Sequence, residues 1–540
     1  MGERVSPRES RLLPAAMLLL ESFLAGIYRK LSSRCSSWVQ GSAIFGALMR
    51  VRSVMLELLS GSLIWPRISA LLRSFLVPPG ENWGLDTLFG AALALAVLHS
   101  SELAVMTLAL VLILKLYRRI SGRGVWRGVY GVPAMTSRGS IGQAGEDGLP
   151  IPAGLFLPLF ALILFAAGAA FASVTPAYSA RNLVMWLFYA FSFVLGLDVA
   201  RRGKALAAAL PVLFATTVAG AYGIYQHLTG FQSYEGWLDP EFADVSRITG
   251  TFSNPSFFSQ TLALTLPVAV ALVLSGGGFR YKVILLGSIL IQGVALALTL
   301  GRAAWIGCML SLAVVAVLYD KRLIVVGFVV VLIASSFAPE FLVKRFLSAF
   351  SMEDSSNNYR VSVWRGSLAL ARAYFLTGTG LGAESFVYTY PEYMIIGSPA
   401  WHSHCVYLEI LIEMGILGLI AFLWMLVAWA VYTWRGLVSA GLLNSGSGSG
   451  PVRNRSGSIL RLGGLRGAKW ARAAVAVGAA SAVLGSLAQG LVEHTLYSPR
   501  VALLFWAWAG LSAGLSLYAT DEGALPRTQL QVSVEKGAVA

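Results

Sequence analysis

The chain has 540 residues, 56% of them hydrophobic and only 12% charged, with a formal net charge of +15. That composition excludes a soluble globular domain and points to repeated membrane crossing. The three cysteines, Cys35, Cys308 and Cys405, stand in separate regions without CxxC or zinc-type spacing, which argues against a disulfide framework and a structural metal.

Taken in chain order, residues 1–85 alternate apolar clusters with arginines, as in Trp38 to Arg52. They suit interfacial amphipathic helices on anionic lipid or an unstructured segment. The apolar stretch Leu12 to Leu24 is interrupted by Glu21 and lacks a small-residue cleavage site, so no signal peptide is expected. Beyond it, a ruler of about 20 apolar residues per crossing gives about twelve spans. They fall at 86–99, 101–116, 151–173, 181–199, 205–228, 252–275, 281–300, 302–319, 322–338, 405–434, 473–493 and 501–518. The first two, divided only by His99 to Glu102, read as a tight hairpin or as one long tilted helix. The expected fold is therefore all-α, a polytopic membrane protein of about twelve transmembrane helices. Its divisions are a basic segment 1–85, helices in 86–338, a large loop 339–404, helices in 405–518 interrupted by a Gly/Ser- and Arg-rich linker at 435–472, and a tail 519–540.

Orientation follows from where Lys and Arg collect. The arginines before the first span and after the second, Arg201 to Lys204, Arg280 to Lys282, Asp320 to Arg322 and the 435–472 linker all fall on one side, read as cytoplasmic with both termini. The opposite loops are acidic around Glu235, Asp239, Glu241 and Asp244, or mixed in 339–404. A basic excess placed in this way needs no nucleic acid, and membrane lipid is the expected surrounding.

Against that trend, Arg247, Arg302, Arg360 and His404 come to the external side from four stretches. Arg302, at a junction with almost no loop, is costly in hydrocarbon unless it is paired, faces water or snorkels to the interface. Arg360 lies on a helix whose apolar residues Val363, Trp364, Ser367, Leu368, Ala371 and Phe375 recur at helical spacing, while Arg365 and Arg372 read as solvated. His404 follows His402 and precedes Glu409 and Glu413, a polar group that a lipid-facing helix does not tolerate. Arginine forks suit phosphate, and an imidazole suits proton transfer near neutral pH. The pattern therefore suggests a lipid phosphate or diphosphate held from outside beside a proton acceptor. No P-loop is present, the adjacent Glu353 and Asp354 read as solvated charge rather than a metal site, and Glu102 is a further external acid.

TLGRAAW (299–305), YRVSVW (359–364), TGTGLGAESF (377–386) and HSHCVYLEILIEMGILG (402–418), flanked by GTFSNPSFFS (250–259) and GLVEHTLYSPR (490–500), resemble in order the O-antigen ligase and polymerase family of bacterial membrane glycosyltransferases. The likeness spans roughly residues 150–518. It implies a fold of the lipid-dependent, GT-C type and transfer of a glycan from an undecaprenyl diphosphate carrier to a sugar hydroxyl on lipid, wall polymer or protein. It further implies inversion at the sugar, no cofactor and no metal, at the outer face of the bacterial inner membrane, for cell envelope biogenesis. Matched to the motifs, Arg302, Arg360 and His404 would be catalytic, with Arg247, His402, Glu409, Glu413 and His494 in substrate binding. The chain departs from the family pattern with Gly301 for Ser, Cys405 for Asn and Glu409 for Gln. Polymerase and ligase both fit, polymerase slightly better. From a different class, a transporter of a small anion such as inorganic carbon also places arginines at the ends of apolar helices.

Overall fold

A computed structural model of the protein describes residues 85–120, 151–234, 245–275, 278–350, 355–439 and 468–523. The N-terminal basic segment, the acids at 235, 239, 241 and 244, Glu353 and Asp354, most of the 435–472 linker and the end of the tail lie outside the described residues. The chain divides into two compact units. One comprises Met1–Val77 and Leu110–Ala144, of which only residues 110–120 are described; the other comprises Pro78–Ala109 and Gly145–Ala540 and holds everything that follows.

Every element among the described residues is helical. The helices are α1 (Leu85–Leu98), α2 (Ser101–Ile120), α3 (Ala153–Phe171), α4 (Pro176–Arg201), α5 (Ala205–Leu228), α6 (Pro255–Ser275), α7 (Phe279–Leu298), α8 (Arg302–Tyr319), α9 (Arg322–Phe337), α10 (Glu340–Leu347), α11 (Ser355–Ala373), α12 (Ala383–Thr389), α13 (Val406–Ser439), α14 (Ala468–Gln489) and α15 (Pro499–Gly523). Nine of them, α3 to α8 and α13 to α15, are long and apolar enough to cross a membrane, and α1 and α9 are shorter apolar helices. The twelfth expected span, α2, is separated from α1 at His99 and Ser100, so the two are distinct helices. The protein is a multi-pass, all-α membrane protein.

Helix α15 is the most enclosed span and packs on α4 and α13, while α14 packs on α6 and α8. With no water to drive association in lipid, close backbone approach and interhelical hydrogen bonds hold such helices together. Both occur here. A side chain at Gly510 would begin 2.0 Å from the Phe193 carbonyl oxygen, and one at Gly514 would begin 2.6 Å from that of Leu197. Ser192 donates to the Leu503 carbonyl at 2.9 Å, and the Trp429 indole N–H to Ser512 at 2.9 Å. Helix α9, by contrast, buries no residue against the rest of the chain.

The single span expected at 405–434 is broken. At Gly415, φ is 68° and ψ is −175°, which divides α13 into a short N-terminal piece and a long apolar one. The break frees carbonyls that a membrane interior requires to be satisfied. The turn after α11 supplies the donors: the N–H of Thr379 bonds the Ile412 carbonyl at 2.8 Å and that of Gly380 the Glu413 carbonyl at 3.2 Å. On α11 the buried face is Val363, Ser367, Leu370 and Ala371, packed with Phe386, Tyr390 and Ile412. Leu368 and Phe375, expected on that face, are exposed. Phe375 lies past the end of the helix. Arg365 and Arg372 are exposed, as expected for solvated charges.

The glycine turn is clamped to the start of α4 by hydroxyls. Ser173 and Ser179 share a 2.7 Å hydrogen bond, and the hydroxyl whose proton it leaves over lies 3.2 Å from a carbonyl of the turn, Thr379 for Ser173 or Leu381 for Ser179. Gly380 has φ 110°, and a Cβ there would lie 1.9 Å from Ser173 Oγ. Gly380→Ala should therefore cost on the order of 2–4 kcal/mol through strain and overpacking. Its thermal midpoint in detergent should drop clearly, whereas Gly287→Ala, where nothing lies within 4 Å, should leave the midpoint unchanged or slightly raised.

Candidate functional site

Four arginines from four elements meet in one small chamber of about 70 Å³: Arg247 from the stretch before α6, Arg302 at the first position of α8, Arg345 on α10 and Arg360 on α11. Arg302 is set by a tight turn in which Leu300 adopts φ 55°, a left-handed conformation that a leucine rarely takes. The turn is held from outside, because Arg247 Nε donates to the Thr299 carbonyl at 2.8 Å and Trp305 Nε1 to the Leu296 carbonyl at 2.8 Å. Gly301 stands where the family pattern has serine, and a side chain there would begin 2.8 Å from Ser259 Oγ. Arg302 Nη1 donates to Ser348 Oγ at 2.8 Å, which ties α8 to the end of α10.

Among the described residues the chamber contains one carboxylate, Glu493, from the loop between α14 and α15. Arg360 Nη2 reaches Glu493 Oε2 at 2.9 Å, and His404 Nδ1 reaches Oε1 at 3.3 Å. Burial opposes ionisation of Glu493, yet the hydrogen bond from His404 and the charge of Arg360 outweigh it and hold the carboxyl far below the usual carboxylate range. Glu493 is thus an anion that both orients and electrostatically couples an arginine and a histidine. Burial and then the neighbouring charge of Arg345, with smaller contributions from Arg360 and Arg302, lower Arg247 to about 10 in spite of Glu493. The positive charges repel one another, and an anion entering the chamber would relieve that repulsion.

His404 has φ 54°, the second left-handed non-glycine residue among the described ones. Its turn is fixed by Glu409, whose Oε2 accepts the Ser403 N–H at 2.6 Å, and by His402 Nδ1, which accepts the His404 N–H at 3.2 Å. Cys405, which replaces the asparagine of the family pattern, offers its carbonyl to Ser403 Oγ at 3.0 Å. The His404 ring meets Tyr359 edge-on at 5.9 Å and lies 4.2 Å from the His402 ring, which in turn lies 4.7 Å from Tyr497 and 5.6 Å from His494. Glu413 Oε1 accepts the Gly382 N–H at 2.8 Å and so locks the glycine turn to α13. Burial, reinforced by neighbouring imidazoles, keeps His402 far below the ordinary histidine range, and burial pushes His494 down to about 3.

All the residues singled out from sequence come to this region, though in different roles. Arg247, Arg302 and Arg360 line the chamber and His404 faces it through Glu493. His402 and Glu409 shape the histidine turn, Glu413 anchors the glycine turn, and His494 lines a neighbouring cavity. Sequence reasoning missed Arg345 and Glu493. Arg345 sits in a short basic pair within the mixed loop, and the acid beside His494 was the available sign of a counter-charge for external arginines. Arg500, in the same flank, is a structural tie: it donates to the carbonyls of Ala96, Val97 and Thr251 and lies 3.6 Å over the Phe252 ring.

Two groups have ligating atoms within 4.8 Å of one another, His402 with His404 and Glu493, and Glu409 with Glu413 and His494. In the first, Glu493 Oε2 already meets Arg360 Nη2 and Oε1 already meets His404 Nδ1. A second cavity, of about 300 Å³, shares Arg302, Ala303 and Arg360 with the arginine chamber and continues along Ile306, Val361, Trp364 and Val492. A cationic chamber thus opens onto an apolar groove, an arrangement suited to an amphipathic anion.

The fold and site define a polytopic membrane protein with a cationic chamber next to a histidine. Residues 287–423 match the model of the O-antigen ligase family, so this segment of the chain is similar to O-antigen ligases. The match supports, in general terms, a membrane glycosyltransferase of the ligase or polymerase type with a lipid-linked glycan and an acceptor as substrates. The matched segment contains Arg302, Arg345, Arg360, His402 and His404, while Arg247, Glu493 and His494 lie outside it. No curated protein matches the chain.

The buried histidines give the stability a definite pH dependence. An unfolded histidine protonates near about 6.5, whereas folded His494 stays neutral down to about 3. Between these values the unfolded chain binds more protons, so stability rises with pH and falls on acidification. The thermal midpoint should decline as pH is lowered from 7.5 to 5, and His494→Asn should show a shallower decline; an identical slope would contradict burial of a neutral imidazole.

Proposed function

We propose that the protein transfers a glycan from an undecaprenyl diphosphate carrier to an acceptor hydroxyl, on the membrane side opposite the basic loops, in a single inverting displacement that needs no metal. The observation that carries this reading is the convergence of Arg247, Arg302, Arg345 and Arg360 on one chamber in which Glu493 joins Arg360 to His404.

The diphosphate sits among the guanidinium groups and the polyprenyl chain runs into the groove along Ile306, Val361 and Trp364. Ionised Glu493 engages His404 at Nδ1, which selects the tautomer with the proton there and leaves Nε2 to accept one. As the acceptor oxygen bonds to the anomeric carbon, its proton passes to Nε2 and the anomeric carbon–oxygen bond to phosphate breaks. The electron pair leaves on the diphosphate, where the arginines stabilise the added charge. The carrier is already activated, so no nucleotide is required. Polymerase action is favoured slightly over ligase action. The apolar groove joined to the cationic chamber weighs against a small-anion transporter, whose path would need polar lining beyond the arginines.

With purified protein and carrier-linked oligosaccharide, the expected result is longer glycan and released carrier diphosphate. Arg302→Ala and Arg360→Ala should each lower turnover about 10²- to 10³-fold, the usual effect of deleting a transition-state charge donor. Lysine at either position should restore little, because the fork geometry is lost. His404→Ala should cost about 10²- to 10⁴-fold. Anion flux in liposomes without glycan transfer would overturn the assignment. Arg345→Ala should raise the donor KM and lower turnover although no sequence motif marks it; wild-type kinetics in that variant would remove it from the diphosphate site.

A further inference from the structure

A third cavity, of about 230 Å³, lies beyond the histidines from the arginine chamber. Two consecutive residues divide the two spaces: Glu493 lines the arginine chamber and His494 lines this one. Between this cavity and His404 stands His402, whose ring lies 4.7 Å from Tyr497, on the cavity wall, and 4.2 Å from His404. A glycan seated here must extend past His402 for its reacting hydroxyl to reach His404.

The lining is chemically opposite to that of the first chamber. Two carboxylates face it, Glu102 from the start of α2 and Glu384 from the first turn of α12, against one guanidinium, Arg181, while the buried carboxyl of Glu413 closes the wall. Glu384 accepts from Asn182 Nδ2 at 3.2 Å, and Glu413 Oε1 from the Gly382 N–H at 2.8 Å. Trp186, Tyr189 and Tyr497 add aromatic surface. His494, more than nine-tenths buried, has an Nδ1 that makes no hydrogen bond among the described residues. A buried imidazole nitrogen without a partner carries a desolvation cost that a ligand hydroxyl or amine would offset. Aromatic faces with hydrogen-bonding side chains suit a pyranose, and an excess of carboxylates over arginine suits an ammonium and opposes another anion.

We propose that this cavity seats the acceptor glycan and that Glu102 and Glu384 make it select a sugar bearing a free, protonated amino group over one bearing a carboxylate or phosphate. This rests on the glycosyl-transfer reading above. It adds to that reading a separate acceptor chamber and the charge class of its occupant. Glu384 and Glu102 are specificity residues, set apart from the groups that handle the diphosphate.

The test uses full-length protein in nanodiscs and three acceptor oligosaccharides of equal length, ending in a hexosamine with a free amine, in its N-acetyl form, or in a uronic acid. Both direct binding and transfer from one carrier-linked donor are read. The amine acceptor should bind and react with a Kd and KM at least 10-fold lower than the N-acetyl form, and the uronic acid should be the poorest. Glu384→Gln and, at the exposed mouth, Glu102→Gln should each shrink the amine-to-acetyl ratio several-fold, which a general loss of folding would not do. An unchanged ratio in both variants, or equal use of the uronic acid, would overturn the proposal while leaving glycosyl transfer standing. If the binding ranking and its loss in the variants hold but none of the acceptors is elongated, the chamber assignment stands and the glycosyl-transfer reading fails.

Discussion

The arrangement depends on one electrostatic constraint: several guanidinium groups share a chamber at the end of a membrane-embedded helix set, and an ionised carboxylate, Glu493, stands among them. Isolated cations in such surroundings are costly, and they persist where they are paired or where a substrate will pair them. One of its oxygens holds Arg360 and the other meets His404, so one side chain fixes both a guanidinium and an imidazole. On the proposed reading, the clustered guanidinium groups receive the diphosphate and the carboxylate sets the tautomer of the histidine.

Holding this site open requires irregular backbone where a membrane protein has little tolerance for it. Leu300 and His404 both adopt left-handed conformations, and α13 is broken at Gly415. Each departure is compensated locally: Arg247 takes the Thr299 carbonyl, Glu409 takes the Ser403 amide, and the glycine turn fills the hydrogen bonds left by the break in α13. Strained or broken segments over-determined by their surroundings are characteristic of functional sites. The two buried glutamates that drew attention in the sequence serve first as backbone anchors. Only then, through Glu413, do they contribute to a cavity wall.

The site is also divided. Arginines and an apolar groove occupy one side of the histidine layer, while carboxylates and aromatic rings occupy the other. A displacement between a charged lipid-linked donor and a polyhydroxylated acceptor needs two binding environments that meet at one proton acceptor. On the proposed reading, opposite charge in the two chambers keeps each substrate on its own side.

By itself the sequence determined the membrane class, most of the helical segments, and Arg247, Arg302, Arg360 and His404 as polar residues on one side, which the structure brings together. Apolar run length and the cost of charge in lipid are local properties, legible one residue at a time. The glycine turn and the HSHC step were legible as family motifs for the same reason. The break in α13 was not, because Gly415 within an apolar run reads as ordinary helix until another segment is known to need its neighbours' carbonyls. Glu493 and Arg345 were hidden because each is unremarkable in its own loop. Only folding brings residue 493 within hydrogen-bonding distance of residues 360 and 404, and residue 345 into the chamber beside residue 302. Tertiary structure alone decided which charges neutralise one another, since pairing depends on distance in space and falls off within a few ångströms, whereas position along the chain carries no such information.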